Sequence, residues 1–88
     1  MRIRVEKVRD GLHPSEVVVA VTTAEGREQL VVHKRSLDNG TLEIGYPIGE
    51  DKDLGQYLVE LPRETASGSW RVWVPRANVE ERVPGVAA

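Results

Sequence analysis

The sequence predicts an all-β protein, and three observations carry that reading. Apolar residues recur with a period of two in several short stretches, β-branched residues crowd the longest of these, and turn-forming residues interrupt them at intervals too short for most helices. In Arg2-Ile3-Arg4-Val5-Glu6, Ile3 and Val5 fall on one face and the three charged residues on the other, the pattern of a half-buried strand. Val8 breaks that phase and implies a bulge or bend. Beyond Asp10-Gly11 and His13-Pro14, the run Val17-Val18-Val19-Ala20-Val21-Thr22-Thr23 is apolar on both faces and is the expected central strand.

Ala24-Glu25-Gly26-Arg27 supplies a turn, so Glu28 to Arg35 is expected to return as the hairpin partner. Asp38-Asn39-Gly40 is the strongest turn signal, because Asn-Gly accepts the positive φ angles of tight reversals. After it, Leu42, Ile44, Tyr46 and Ile48 alternate onto one face of a strand. Pro47, which has no N–H to give to a ladder, puts that strand at an edge or ends it. Gly49 to Gly55 reads as an exposed loop, Gln56 to Leu61 as a strand stopped by Pro62, and Arg63 to Gly68 as a polar connection. Trp70 to Val74 is the last long strand. A regular pleat there groups Trp70, Val72 and Val74 on the core face and Arg71 and Trp73 on the other.

Eighty-eight residues fill one small domain, expected over residues 1–82, with 83–88 as a flexible C-terminal tail. A chain of this size buries roughly two thirds of the surface it exposes when unfolded, so nearly all its valines and leucines are needed inside. Without cysteine there is no disulfide framework and no thiolate zinc site. Fourteen acidic against twelve basic residues give a net charge of -2, which does not supply a broad positive field for nucleic acid. No stretch approaches the roughly 18 apolar residues of a membrane span, and Met1 to Lys7 lacks the apolar block of a signal peptide. The expectation is a cytoplasmic protein with no membrane partner.

Motifs that carry chemistry are missing. His13 and His33 are the two imidazoles, and nothing in their spacing to carboxylates suggests a metal site. Asp51-Lys52-Asp53-Leu54-Gly55 lacks the third acidic position and the closing glutamate of a calcium loop. There is no Gly-x-Ser-x-Gly elbow and no glycine-rich phosphate cradle, so no catalytic residue, cofactor or metal is expected, and no enzymatic activity.

The segment Val74-Pro75-Arg76-Ala77-Asn78-Val79-Glu80-Glu81 resembles the closing segment of Src-homology-3-like barrels, where a strand meets a proline, makes one 3₁₀ turn and resumes as a short strand. The resemblance implies a small antiparallel barrel of five or six strands, a closure that would hide the strand edges. It does not imply that family's proline-rich ligands. The tyrosine that precedes the closing valine there is Asn78 here, and no Ala-Leu-Tyr-Asp-Tyr-like motif stands near the start.

The remaining candidate is a surface made by Arg71, Trp73 and Arg76, since a large aromatic beside arginines is a frequent composition of interface hot spots. The leading expectation is a non-enzymatic protein-interaction or accessory domain that binds an unidentified protein or a second copy of itself. A plainer alternative has Trp73 packing within its own chain or stacking on Arg71. The competing function is single-stranded nucleic-acid binding, with Arg2, Arg4, Lys34, Arg35, Arg71 and Trp73 converging on one face.

Overall fold

A computed structural model of the chain describes residues 1–80, so the expected tail and Glu81 of the closing segment lie outside the described residues. The chain is all-β. Its strands are β1 (Arg2–Arg4), β2 (Glu6–Asp10), β3 (Glu16–Thr23), β4 (Gly26–His33), β5 (Leu37–Asp38), β6 (Thr41–Glu43), β7 (Gly49–Asp51), β8 (Gln56–Glu60), β9 (Arg71–Pro75) and β10 (Val79–Glu80). One 3₁₀ turn, Lys34–Ser36, follows β4, and a second, Arg76–Asn78, follows β9. The strands form three antiparallel sheets, ordered β10-β1-β6-β5, β2-β3-β4 and β7-β8-β9.

β3 is the central strand of the second sheet, as its sequence predicts, and it is buried from Val17 to Val21. Val17, Val19 and Val21 enter the main core together with Leu30 and Val32 of β4. The first sheet and its margins contribute Ile3, Val5, Leu42 and Ile44, and the third Val59, Leu61, Val72 and Val74. Val18 and Ala20 are equally shielded but point the other way. The register puts Glu6, Ala20 and Gln29 in one row and Thr22 beside Arg27 in the next. Arg27 reaches Glu6 at 2.9 Å and Arg9 reaches Gln29 at 3.4 Å, so polar side chains from β2 and β4 cross over β3 and cover its second face.

The five- or six-stranded closed barrel expected from the sequence is not formed. The second and third sheets meet where the Ala24 N–H donates to the Trp73 carbonyl (2.9 Å), and two residues later β9 reaches Pro75, which has no N–H to extend a ladder. The strand expected from Leu42 to Ile48 also stops early, at Glu43. The Ile44 N–H still donates to the Met1 carbonyl (2.9 Å), but the Ile48 N–H donates to the Leu58 carbonyl (2.8 Å), so Gly45 to Pro47 carries the chain from the first sheet to the third. Ile44 is buried, whereas Tyr46 and Ile48 are exposed. Part of the expected 49–55 loop is strand: Gly49–Asp51 pairs with β8, and the Asp51 Oδ1 accepts the Leu54 N–H at 3.0 Å to shape the reversal.

Asn39 and Gly40 both adopt positive φ, 51° and 74°, which confirms the tight reversal between β5 and β6. That reversal serves Arg2. Its guanidinium, whose side chain is 13% exposed, donates to Thr41 Oγ1 (2.7 Å), the Thr41 carbonyl (3.0 Å) and the Ser36 carbonyl (3.0 Å). Thr41 Oγ1 in turn donates to the Asp38 carbonyl at 2.6 Å. One side chain of β1 therefore fastens the β5–β6 hairpin and the first 3₁₀ turn.

Edges are managed locally. All five residues of β2 are exposed, a register shift between Lys7 and Arg9 marks the bulge that Val8 suggests, and Lys7 pairs with Asp10 at 2.9 Å. The free edge of β4 is capped at Gln29, whose carbonyl accepts the Ala66 N–H at 2.8 Å, and the Ser67 hydroxyl lies 2.9 Å from Glu28 Oε2.

Replacing Thr41 with Val should cost about 1.5 to 3 kcal/mol in chemical denaturation, because it leaves Nε of a mostly buried guanidinium without its acceptor and the Asp38 carbonyl without the Thr41 hydroxyl. The hydrogen bond from Lys7, then its charge and that of Lys34, hold the Asp10 carboxyl below its ordinary pKa. The Lys7–Asp10 contact is therefore complete above the ordinary carboxylate range and is lost as pH falls through Asp10's folded value. Carboxyl NMR titration should show the Asp10 midpoint move up, toward the ordinary value, in Lys7→Met.

Candidate interaction surface

The register of the third sheet sorts its side chains into two faces. Gly49, Leu58 and Trp73 form one row, flanked on the same face by Glu60 opposite Arg71. Glu50, Tyr57 and Val74 form a row on the other face, with Val59 opposite Val72 in the core. Arg71 and Trp73 therefore share the outer face, as alternation predicts.

The Trp73 side chain extends across that face. Strands are about 4.8 Å apart, so β9 and β7 are separated by about 10 Å. Yet Cη2 at the far tip of the indole comes within 3.7 Å of where a Cβ on Gly49 would stand. The ring must cross over Leu58 to get there. A Cβ at position 49 would also stand 3.3 Å from Leu58 Cβ, so the absence of a side chain keeps this shelf open. Trp73 retains 37% exposure, so it both packs on its own sheet and offers surface to solvent. Beside it, Arg71 Nε donates to Glu60 Oε2 at 3.2 Å.

Arg76 does not join them. Its guanidinium stacks over the Tyr57 ring, with Cζ 5.6 Å from the centroid, and Arg76 Nη1 lies 3.7 Å from Glu50 Oε2. Tyr57 and Glu50 belong to the row of Val74, so Arg76 caps the opposite side of the sheet at its end. The structure brings two of the three expected surface residues together.

Trp70 also departs from expectation. It is 52% exposed and outside the core, because β9 begins at Arg71 and the alternation that would turn Trp70 inward has not started. Its carbonyl accepts the Leu61 N–H at 2.8 Å, which fixes the chain where it enters β9.

Two residues that sequence alternation grouped on one strand face with Leu42 and Ile44 are exposed beside the third sheet. Tyr46, 86% exposed, and Ile48 both line two shallow clefts. One, about 510 Å³, reaches Glu60, the partner of Arg71, and the other, about 440 Å³, runs past Gly49 to Glu50 and Tyr57 on the side of the sheet away from Trp73. The signal that could have found them is Pro47 between them, which forbids a regular ladder there.

The basic residues expected to converge for nucleic acid are divided, with Arg2 reaching the turn of Lys34 and Arg35 and Arg71 on another sheet. Arg2 is committed to Thr41 and Ser36, Arg4 pairs with Glu80 at 4.0 Å, Lys34 and Arg35 occupy the 3₁₀ turn after β4, and Arg71 is on the third sheet. His33 Nδ1 accepts the Arg35 N–H at 3.3 Å, a local cap. Among the described residues no group of three or more His, Asp or Glu is placed to hold a metal ion, and no helix is long and apolar enough to cross a membrane. No family model, curated protein or solved structure matches the chain.

Trp70→Ala should change stability by less than about 1 kcal/mol, whereas Val74→Ala, in the core of the same segment, should cost about 2 kcal/mol. Paired urea denaturation curves measure both. Equal losses would mean that Trp70 supports the fold as Val74 does.

Proposed function

We propose that this chain is a non-enzymatic protein-interaction or accessory domain that takes its partner, a second protein or another copy of itself, on the outer face of the third sheet. The observation that carries this reading is the indole of Trp73, which reaches across the sheet to Gly49 and stays partly exposed. Aromatic anchors fixed before binding lose little conformational entropy on association, and they dominate interface energetics. Arg71–Glu60 supplies a polar margin, and Tyr46 and Ile48 extend the apolar area.

The same reading takes the fold as an open variant of a Src-homology-3-like barrel and the protein as cytoplasmic. Strand β9, Pro75, the 3₁₀ turn Arg76–Asn78 and β10 support the first of these, since they follow one another as in that closure and return the chain to β1. Asn78 in place of a tyrosine speaks against proline-rich ligands.

The test is Trp73→Ala, followed by circular dichroism, sedimentation velocity and affinity capture from the native cell. The variant should keep its fold while losing self-association or the captured partner. Collapse of the fold would make Trp73 a packing residue, and unchanged association and capture would move the interface elsewhere. Salt-dependent binding of single-stranded oligonucleotides that Trp73→Ala abolishes would replace this reading with the nucleic-acid one.

A further inference from the structure

We propose a second docking surface, for an acidic protein segment, at the end of the second sheet where the β2–β3 loop meets the 3₁₀ turn after β4. It goes beyond the reading above and lies on a different sheet from Trp73.

Charge is the first argument. Arg2, Arg4, Lys7, Arg27, Arg63, Arg71 and Arg76 each have a carboxylate partner within the chain. Lys34 and Arg35, like Arg9 and Lys52, appear in none of these pairs among the described residues, and the first two are exposed on consecutive residues of the 3₁₀ turn. Of the other cations at this end, Lys7 and Arg63 are balanced by Asp10 at 2.9 Å and Glu16 at 3.4 Å, and Arg9 reaches Gln29. That leaves the two cations of the turn as a local positive excess on a chain whose net charge is -2. Lys34 is near enough to Asp10 to help hold its carboxyl ionised.

Shape is the second. The Lys34 N–H donates to the Ser15 carbonyl at 2.8 Å, which ties the turn to the β2–β3 loop. The loop is closed by the Gly11 N–H to the Glu16 carbonyl (3.0 Å) and the Glu16 N–H to the His13 carbonyl (3.0 Å). A Cβ on Gly11 would come within 2.8 Å of Glu16 Cβ, so this closure requires the glycine. The same loop carries Leu12, which is fully exposed. An exposed apolar side chain on the loop that holds a turn with two cations, of which only Lys34 has a carboxylate, Asp10, near it, matches a segment carrying carboxylates and an apolar contact. The Arg35 guanidinium suits a carboxylate bidentately.

Other polyanions fit less well. Single-stranded nucleic acid binds through stacking platforms, and the four aromatic residues, Tyr46, Tyr57, Trp70 and Trp73, belong to the third sheet and its approaches. An anionic bilayer favours aromatic residues at the headgroup level, and this loop has none.

The experiment is fluorescence anisotropy with a labelled peptide of glutamate and aspartate containing one leucine, at low and moderate salt. The full chain should bind it at low salt and lose about tenfold in affinity as salt screens the contact. Lys34→Ala with Arg35→Ala should weaken binding about tenfold, Leu12→Ser about threefold, and Trp73→Ala not at all. No binding at low salt overturns the proposal, as does undiminished binding by the folded Lys34/Arg35 double variant. Equal or tighter binding of an oligonucleotide or of phosphatidylserine vesicles also overturns it. If the double variant does not fold, Leu12→Ser and the salt response of the unaltered chain decide.

Discussion

An eight-residue strand whose middle is valine and alanine, Glu16–Thr23, has to be kept from water on both faces, and much of the molecule is arranged around that requirement. One face is met by side chains of all three sheets, which is why sheets with few backbone bonds between them share a single apolar cluster. The other face has no sheet to cover it. Arg27 with Glu6 and Arg9 with Gln29 lie across it instead, their hydrocarbon stems over Val18 and Ala20 and their polar ends bonded to each other. Ala20 suits that position because a larger side chain would lift the crossing pair.

Electrostatics follow the same economy. Most ion pairs join neighbouring or next-neighbouring strands at the surface, where each contributes little to stability but neutralises a cation that would otherwise face solvent. Arg2 is the exception. Its guanidinium is largely withdrawn from water and answered by two carbonyls and a hydroxyl, so it acts as a structural tie across residues far apart in sequence. With so many cations engaged, the surface that remains is distinguished less by charge than by its aromatic and branched side chains on the third sheet.

Much of the fold was legible in the sequence because it is written in periodicity and turn chemistry. The valine run of β3, the Asn39-Gly40 reversal, the bulge at Val8 and the proline followed by a 3₁₀ turn each have a local physical cause. Alternation, however, gives parity along a strand and not its limits. Trp70 sits one residue before β9 and Tyr46 three residues after β6, so extrapolated parity sent both inward when both are exposed. Arg76, by contrast, has the parity of Val72 and Val74 and lies on their side of the sheet against Tyr57 and Glu50; grouping it with Arg71 and Trp73 rested on closeness in sequence, not on alternation. Whether the barrel closes was also beyond local reading, because it depends on which edges meet in space.

The placement of β1 has a consequence for how the chain acquires its structure. Ile3 lies between Leu42 on one side and Val79 on the other. β1 precedes both of its partners in the sequence, so it waits for one neighbour near the middle of the described chain and for the other until residue 79 has been made. Nucleation has no such delay in the β3–β4 hairpin, whose partners are close in sequence. The two open edges of β1 therefore persist until nearly all of the described chain exists, and such long-range pairing slows the final step of assembly. The arginines that flank Ile3 keep the waiting strand charged on the face opposite the one it has yet to bury.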